Sequence, residues 1–155
     1  MTRRNLVLAA AGGSLALLLA AFGFQLMGYA PCQMCLWQRW PHVAAVLIGL
    51  AALALPGRAL PLLGALAALT TALIGVYHTG VERDWWEGIT ACSGAGDITT
   101  LSAGDLLDTS RDIGPPLIRC DQVAWALLGI SMPSWNALFS FALVALWIAA
   151  ARARA

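Results

Sequence analysis

Charged positions are so sparse along this chain that the gaps between them draw its outline. Four windows hold no charge at all: Asn5–Gln38, Trp40–Gly57, Ala59–Val81 and Gln122–Ala151. Crossing a hydrocarbon core as a helix takes about 20 apolar residues, within a range of about 17–25. The pattern therefore predicts spans near Leu6–Met27, Trp40–Leu55, Leu60–Val81 and Trp135–Ala151, the second and fourth of them short. In lipid the backbone must satisfy its own hydrogen bonds, so Leu/Ala-rich runs of this kind are read as helices. The expected fold is an all-α integral membrane protein, one four-helix bundle over residues 1–155, with outer loops at 28–39 and 82–134.

Composition agrees with that outline. Of 155 residues, 60% are hydrophobic and 11% charged, with a mean hydropathy of +0.76. An ordinary soluble domain is about 45–50% apolar and about 25% charged. Too few charges remain here to cover a water-facing surface, which excludes a soluble enzyme and a disordered chain. A net charge of +1 gives no footing for nucleic acid.

The arginines set the orientation. Arg3, Arg4, Arg58, Arg152 and Arg154 fall on one side with no acid among them. Arg39, Arg83, Arg111 and Arg119 fall on the other, with every acid from Glu82 to Asp121. The positive-inside rule then places both termini in the cytoplasm and both longer loops outside, which in a bacterial inner membrane is the periplasm. Trp37, Trp40, Trp85, Trp86 and Trp135 mark the outer ends of the spans, where indole rings favour the interface. Arg3-Arg4 before an apolar run also suits a secretory or twin-Arg leader. The run is longer than a signal core, however, and its removal would leave an odd number of spans and part Arg152 and Arg154 from Arg58. Tyr29-Ala30-Pro31-Cys32 resembles a lipoprotein cleavage site only faintly, because of Pro31.

All four cysteines fall on the outer side, an even number in an oxidising compartment. Cys32 and Cys35 form a C-x-x-C at the mouth of the second span; Cys92 and Cys120 lie far apart in the long loop. One reading is structural: a staple from Cys92 to Cys120 would restrict the unfolded chain by roughly 3–4 kcal/mol. Another is a zinc site, but such sites draw on two closely spaced pairs and only one is present. A C-x-x-C closes too small a loop to be much of a staple, and its usual employment is thiol–disulfide exchange.

Arg39 follows Cys35 by four positions and His42 by seven, so one helical face carries all three if the helix extends back that far. Pro41 is comfortable in a first helical turn, which would instead start the helix near Trp40. Either way a cation and a helix N-terminus near Cys35 favour its thiolate. Arg39 read blandly is a charge snorkelling at the interface; beside a redox dithiol it is a fixed cation for an electron acceptor. His42 and His78 end neighbouring spans at similar depth and could in principle hold haem, though such histidines more often simply hydrogen-bond. No phosphate-binding loop is present, since Gly94-Ala95-Gly96 runs into acidic sequence. The residues thus point to a membrane thiol oxidoreductase whose acceptor reaches the C-x-x-C from the bilayer.

Pro31-Cys32-Gln33-Met34-Cys35-Leu36-Trp37-Gln38-Arg39, Tyr77-His78-Thr79, Cys120-Asp121 with Trp125, and Met132-Pro133-Ser134-Trp135-Asn136 together resemble the bacterial disulfide bond formation protein B (DsbB) family, in its order and on its four-span frame. The resemblance implies a quinone-dependent protein dithiol oxidoreductase. A periplasmic thioredoxin-like dithiol oxidase of the DsbA type would attack Cys92 of a Cys92–Cys120 disulfide. Cys32–Cys35 would re-oxidise that pair through a transient Cys32–Cys120 bond. Cys35 would then deliver the electrons to a bound ubiquinone or menaquinone, with Arg39, His78 and Gln38 as further cofactor contacts. Gln38 departs from a position often acidic in the family.

Exchange demands in-line approach of a thiolate to a disulfide, and a loop carrying Gly88, Gly94, Gly96, Gly104, Gly114 and Pro115-Pro116 suits the movement required. Asp121–Ile130 reads equally as a short interfacial helix or as plain loop. Two other functions stay open at this point. One is a vitamin K epoxide reductase-like quinone reductase, whose C-x-x-C sits in a late span; the other is a disulfide-stapled scaffold without turnover.

Overall fold

A computed structural model describes residues 1–89 and 119–153. Cys92, the glycines from Gly94 to Gly114 and Arg154 lie outside the described residues. The described residues form α1 (Arg3–Leu26), α2 (Gln33–Ala54), α3 (Ala59–Glu82), a two-stranded hairpin of β1 (Ala126–Leu127) and β2 (Ile130–Ser131), and α4 (Met132–Arg152). α1, α3 and α4 are long and apolar enough to cross a membrane. The chain is a multi-pass membrane protein built as the expected four-helix bundle. α3 packs most extensively on α4, then on α2; α1 closes the ring against α2 and α4 and barely meets α3.

Each helix boundary has a local cause. Thr2 caps α1 by accepting a hydrogen bond from the Asn5 N–H. α2 ends before Pro56-Gly57, where Gly57 takes φ +119°, open to glycine at little cost. Arg3 donates to the Leu55 and Gly57 carbonyls at 3.3 and 3.0 Å, so it holds that turn against the start of α1. α2 starts earlier than its uncharged stretch: the helix runs back from Trp40 to Gln33, with Pro41 in its interior.

The bundle is close-packed inside and leucine-coated outside. Leu19, Leu47, Leu50, Leu62, Leu66, Leu73 and Leu138 are exposed, the surface a bilayer solvates. Within, small residues let helices approach. A Cβ on Gly64 would fall 2.6 Å from the Trp147 ring, and one on Gly75 would fall 2.9 Å from the Pro133 carbonyl. Trp147 is fully buried among Leu6, Val7, Ala10, Ala68 and Leu143 at the end that carries Arg3. At the opposite end a second, smaller cluster gathers Cys32, Met34, Val81 and Cys120.

Asp121–Ile130 is neither helix nor plain loop. Ala126 pairs with Ser131 and Leu127 with Ile130 across a two-residue turn. Leu128 and Gly129 both take positive φ, +54° and +75°, as the tightest hairpin turns demand. The surface-helix alternative rested on Val123, Ala124, Leu127 and Leu128 between polar Asp121-Gln122 and Pro133, and the chain instead reverses at Leu128-Gly129. Ser131 then donates to the Glu82 carboxylate, which ties the hairpin to the end of α3.

Candidate functional site

Cys32 is the N-cap of α2: its sulfur accepts a hydrogen bond from the Cys35 N–H at 3.4 Å. That cap brings the two sulfurs to 3.1 Å, with the Cys32 S–H donating to Cys35. The stretch from Cys32 to Arg39 precedes the uncharged span that opens at Trp40, so both thiols sit at the end of the bundle remote from Arg3 and Trp147. The Cys32 thiol is pushed up to about 12, first because it holds its proton on Cys35 and then because it is buried. The same bond, seen from the acceptor, holds Cys35 below its ordinary value despite burial and the nearby Cys120 and Glu82. The pair is asymmetric: Cys35 carries the charge and Cys32 keeps the proton.

A cavity of about 360 Å³ opens beside Cys35. α1 contributes Leu17, Ala21 and Phe24; the hairpin region contributes Trp125 and Leu127; α4 contributes Trp135 and Phe139. The polar groups in its wall are few and come almost entirely from one face of α2: Cys35, Gln38, Arg39 and His42, joined by Asn136 of α4. The backward extension of α2 aligns Cys35, Arg39 and His42 as the sequence spacing requires. Arg39 donates to Gln25 at 2.8 Å, and its guanidinium lies 4.7 Å from the centre of the Phe22 ring. Arg39 Nε and His42 Nδ1 are buried and have no partner among the described residues. A guanidinium among a few polar side chains in an apolar wall fits a ligand with a few oxygens on an apolar frame, which is the chemistry of a quinone.

Behind the C-x-x-C, three helices meet through polar side chains. His78 of α3 places Nε2 3.5 Å from Cys32 Sγ and Nδ1 3.1 Å from Gln38 Nε2. Asn136 of α4 donates to Gln38 Oε1 at 2.7 Å and to Thr71 at 3.1 Å, while its oxygen lies 2.9 Å from His42 Nε2. The two histidines thus bond to different amide groups. Cys120, fully buried, packs into the Cys32 cluster and is flanked by an ion pair of its neighbours, Arg119 and Asp121.

The structure brings together Cys32, Cys35, Gln38, Arg39, His78 and Cys120. Of the expected cofactor contacts, Cys35, Gln38 and Arg39 line the larger cavity. His78 stands behind Gln38 and lines the small pocket shared by Cys32, Cys35 and Glu82. Asn136, Thr71 and the cavity role of His42 escaped sequence reasoning. The signal was present: each is a polar side chain in an otherwise apolar run, and such residues within spans are functional by default.

Comparison with known proteins gives a consistent answer. The family model for the disulfide bond formation protein DsbB matches residues 3–150. Disulfide bond formation protein B 2 of Pseudomonas aeruginosa is 32% identical over 144 residues, covering 88% of this chain and 83% of that one. The protein B of Stutzerimonas stutzeri is 29% identical over 152 residues, 94% of this chain and 93% of its own. That of Methylococcus capsulatus is 36% identical over 126 residues, 77% and 76% of the two chains. No solved structure matches the chain.

Proposed function

Because the chain belongs to the DsbB family of disulfide bond formation proteins, we propose that it re-oxidises a periplasmic DsbA-type dithiol oxidase and passes the electrons through two cysteine pairs to a membrane quinone. Disulfide-forming oxidoreductase activity comes with the family; the route is the present reading. One observation carries it: Cys35 is at once a wall of the apolar cavity and the partner of Cys32, which shares a buried cluster with Cys120. Sulfur that receives electrons and sulfur that releases them are thereby adjacent.

The exchange balances within the protein. Cys120, reduced after the partner has been oxidised, attacks Cys32 of the C-x-x-C disulfide as a thiolate; a Cys32–Cys120 bond forms and Cys35 leaves as thiolate. Cys92 then attacks Cys120, and Cys32 leaves and takes up a proton. One dithiol is oxidised and one disulfide reduced. The asymmetry already noted suits the first departure, since Cys35 is the better anion; Cys32 holds its proton more tightly, so it leaves less readily and its departure is completed by protonation.

A quinone bound in the cavity supplies the acceptor for two electrons and two protons. The Arg39 guanidinium would donate to its oxygens beside Cys35, with Gln38 and His42 in the same wall. Arg39 offers a fixed positive charge near Cys35 in a wall that excludes water, where electrostatic support counts most. Both termini are assigned to the cytoplasm and the cysteines to the periplasm; Arg3 at the Leu55–Gly57 turn, remote from the C-x-x-C, supports that polarity.

The test is absorbance of a soluble quinone mixed with the purified protein and a reduced DsbA-type dithiol. Quinone consumption in step with dithiol oxidation, abolished in Cys35→Ser, is expected. Dithiol oxidation without quinone consumption would refute the route.

A further inference from the structure

The polar contacts behind the C-x-x-C fix every proton in a chain of five side chains. Gln38 Nε2 lies 3.2 Å from the Met34 carbonyl, which can only accept, so this end of the amide is the NH₂. Its second hydrogen points to His78 Nδ1 at 3.1 Å. That ring nitrogen is therefore the lone pair, and the neutral ring carries its hydrogen on Nε2, 3.5 Å from Cys32 Sγ. Gln38 Oε1 accepts from Asn136, whose NH₂ also reaches Thr71, while Thr71 spends its own hydrogen on the Gln38 carbonyl at 3.1 Å. The remaining oxygen of Asn136 must accept from His42 Nε2–H at 2.9 Å. Turning either amide over would set two carbonyl oxygens face to face, so the pattern has one solution.

We propose that Gln38, held by Asn136 and the Met34 carbonyl, is a positioning residue that fixes His78 as an N–H donor to the Cys32 sulfur. Resting on the exchange route above, this gives Cys32 a defined role as leaving group. When a disulfide to Cys32 breaks, the sulfur that departs as thiolate meets the His78 Nε2–H already aimed at it. It then takes up a proton and shares that proton with Cys35. The amide pair does not relay protons; it separates the two rings, keeping His78 on the sulfur side and His42 on the cavity side. The same geometry speaks against the other use of these atoms. Cys32, Cys35 and His78 offer three ligand atoms within 4.8 Å of one another, a soft-metal set. A metal-bound histidine, however, donates its other ring N–H to an acceptor, and here that nitrogen faces an NH₂.

Only two histidines occur in the chain, so ring nitrogen-15 spectra of the reduced protein in detergent can be assigned with His42→Phe and His78→Phe alone. Both rings are expected as neutral Nε2–H tautomers at neutral pH. An Nδ1–H tautomer or an imidazolium for His78 would overturn the proposal. In a thiol redox buffer, both His78→Phe and Gln38→Leu are expected to shift the C-x-x-C toward its disulfide by about twofold to tenfold, the reach of one net hydrogen bond. An unchanged equilibrium in folded His78→Phe would equally overturn it. If Gln38→Leu does not fold, the wild-type spectrum and His78→Phe still decide. Loss of quinone coupling with both tautomers and both shifts as expected would sink the electron route and sustain this assignment.

Discussion

The hydrogen bond from Cys32 to Cys35 makes a prediction that thiol chemistry reads directly. A thiol at about 12 is ionised at pH 8 to about one part in ten thousand, against roughly one tenth at the ordinary 9.0. Cys32 of the reduced protein should therefore react with iodoacetamide roughly a thousandfold more slowly than its exposure alone would allow. Cys35 should react with a midpoint below 9.0. Cys35→Ala removes the largest cause of the rise and leaves burial in place, so Cys32 reactivity at pH 8 should climb by about tenfold to a thousandfold. The assay is anaerobic pulse alkylation across pH with mass-spectrometric readout, each cysteine normalised to its own plateau. Coincident midpoints in wild type, or a Cys32 profile indifferent to Cys35→Ala, would refute the asymmetry. Stability follows with definite signs. The raised Cys32 contributes below pH 9 and loses that contribution as pH rises toward 12. The lowered Cys35 contributes above 9 and loses its share as pH falls through its folded value. Relative to a Cys32→Ala, Cys35→Ala variant, the reduced protein should be most stable near pH 9.

Three further outcomes are expected. Gly64→Ala would press a Cβ to 2.6 Å from the rigid Trp147 ring and should cost about 1–3 kcal/mol in detergent unfolding, whereas Gly12→Ala, with nothing within 4 Å, should be neutral or gain up to about 1. An equal loss at both sites would discredit the close α3–α4 approach. Arg39→Ala should weaken quinone affinity at least tenfold while the rate of thiol exchange with a reduced DsbA-type partner holds; unchanged quinone kinetics would remove Arg39 from the site. Leu128→Asn should raise the unfolding midpoint by the equivalent of about 1 kcal/mol, because Leu128 sits at φ +54° where Asn is better tolerated. A drop would show that the exposed leucine has a contact worth more than its backbone strain.

What the chain declared by itself is the part governed by one-dimensional chemistry. Hydrocarbon thickness sets the length of a helix, so the charge-free windows located the bundle, and arginine placement gives an expected polarity without reference to packing. The C-x-x-C with Arg39 four positions on was equally legible, because i to i+4 spacing on a helix is fixed in advance. Tertiary structure decided the rest. Nothing local told that α2 would run through Pro41 back to Gln33, which is what makes Cys32 an N-cap and Cys35 an acceptor. The hairpin at Ala126–Ser131 is tied to α3 by the bond from Ser131 to Glu82. His78 went to the sulfur and His42 to the cavity because Gln38 and Asn136, 98 positions apart, meet across the bundle. A helix periodicity says which face a side chain occupies. Only the docking of α2, α3 and α4 says which hydrogen bond completes it, and in lipid that bond matters because an unmet polar group is costly.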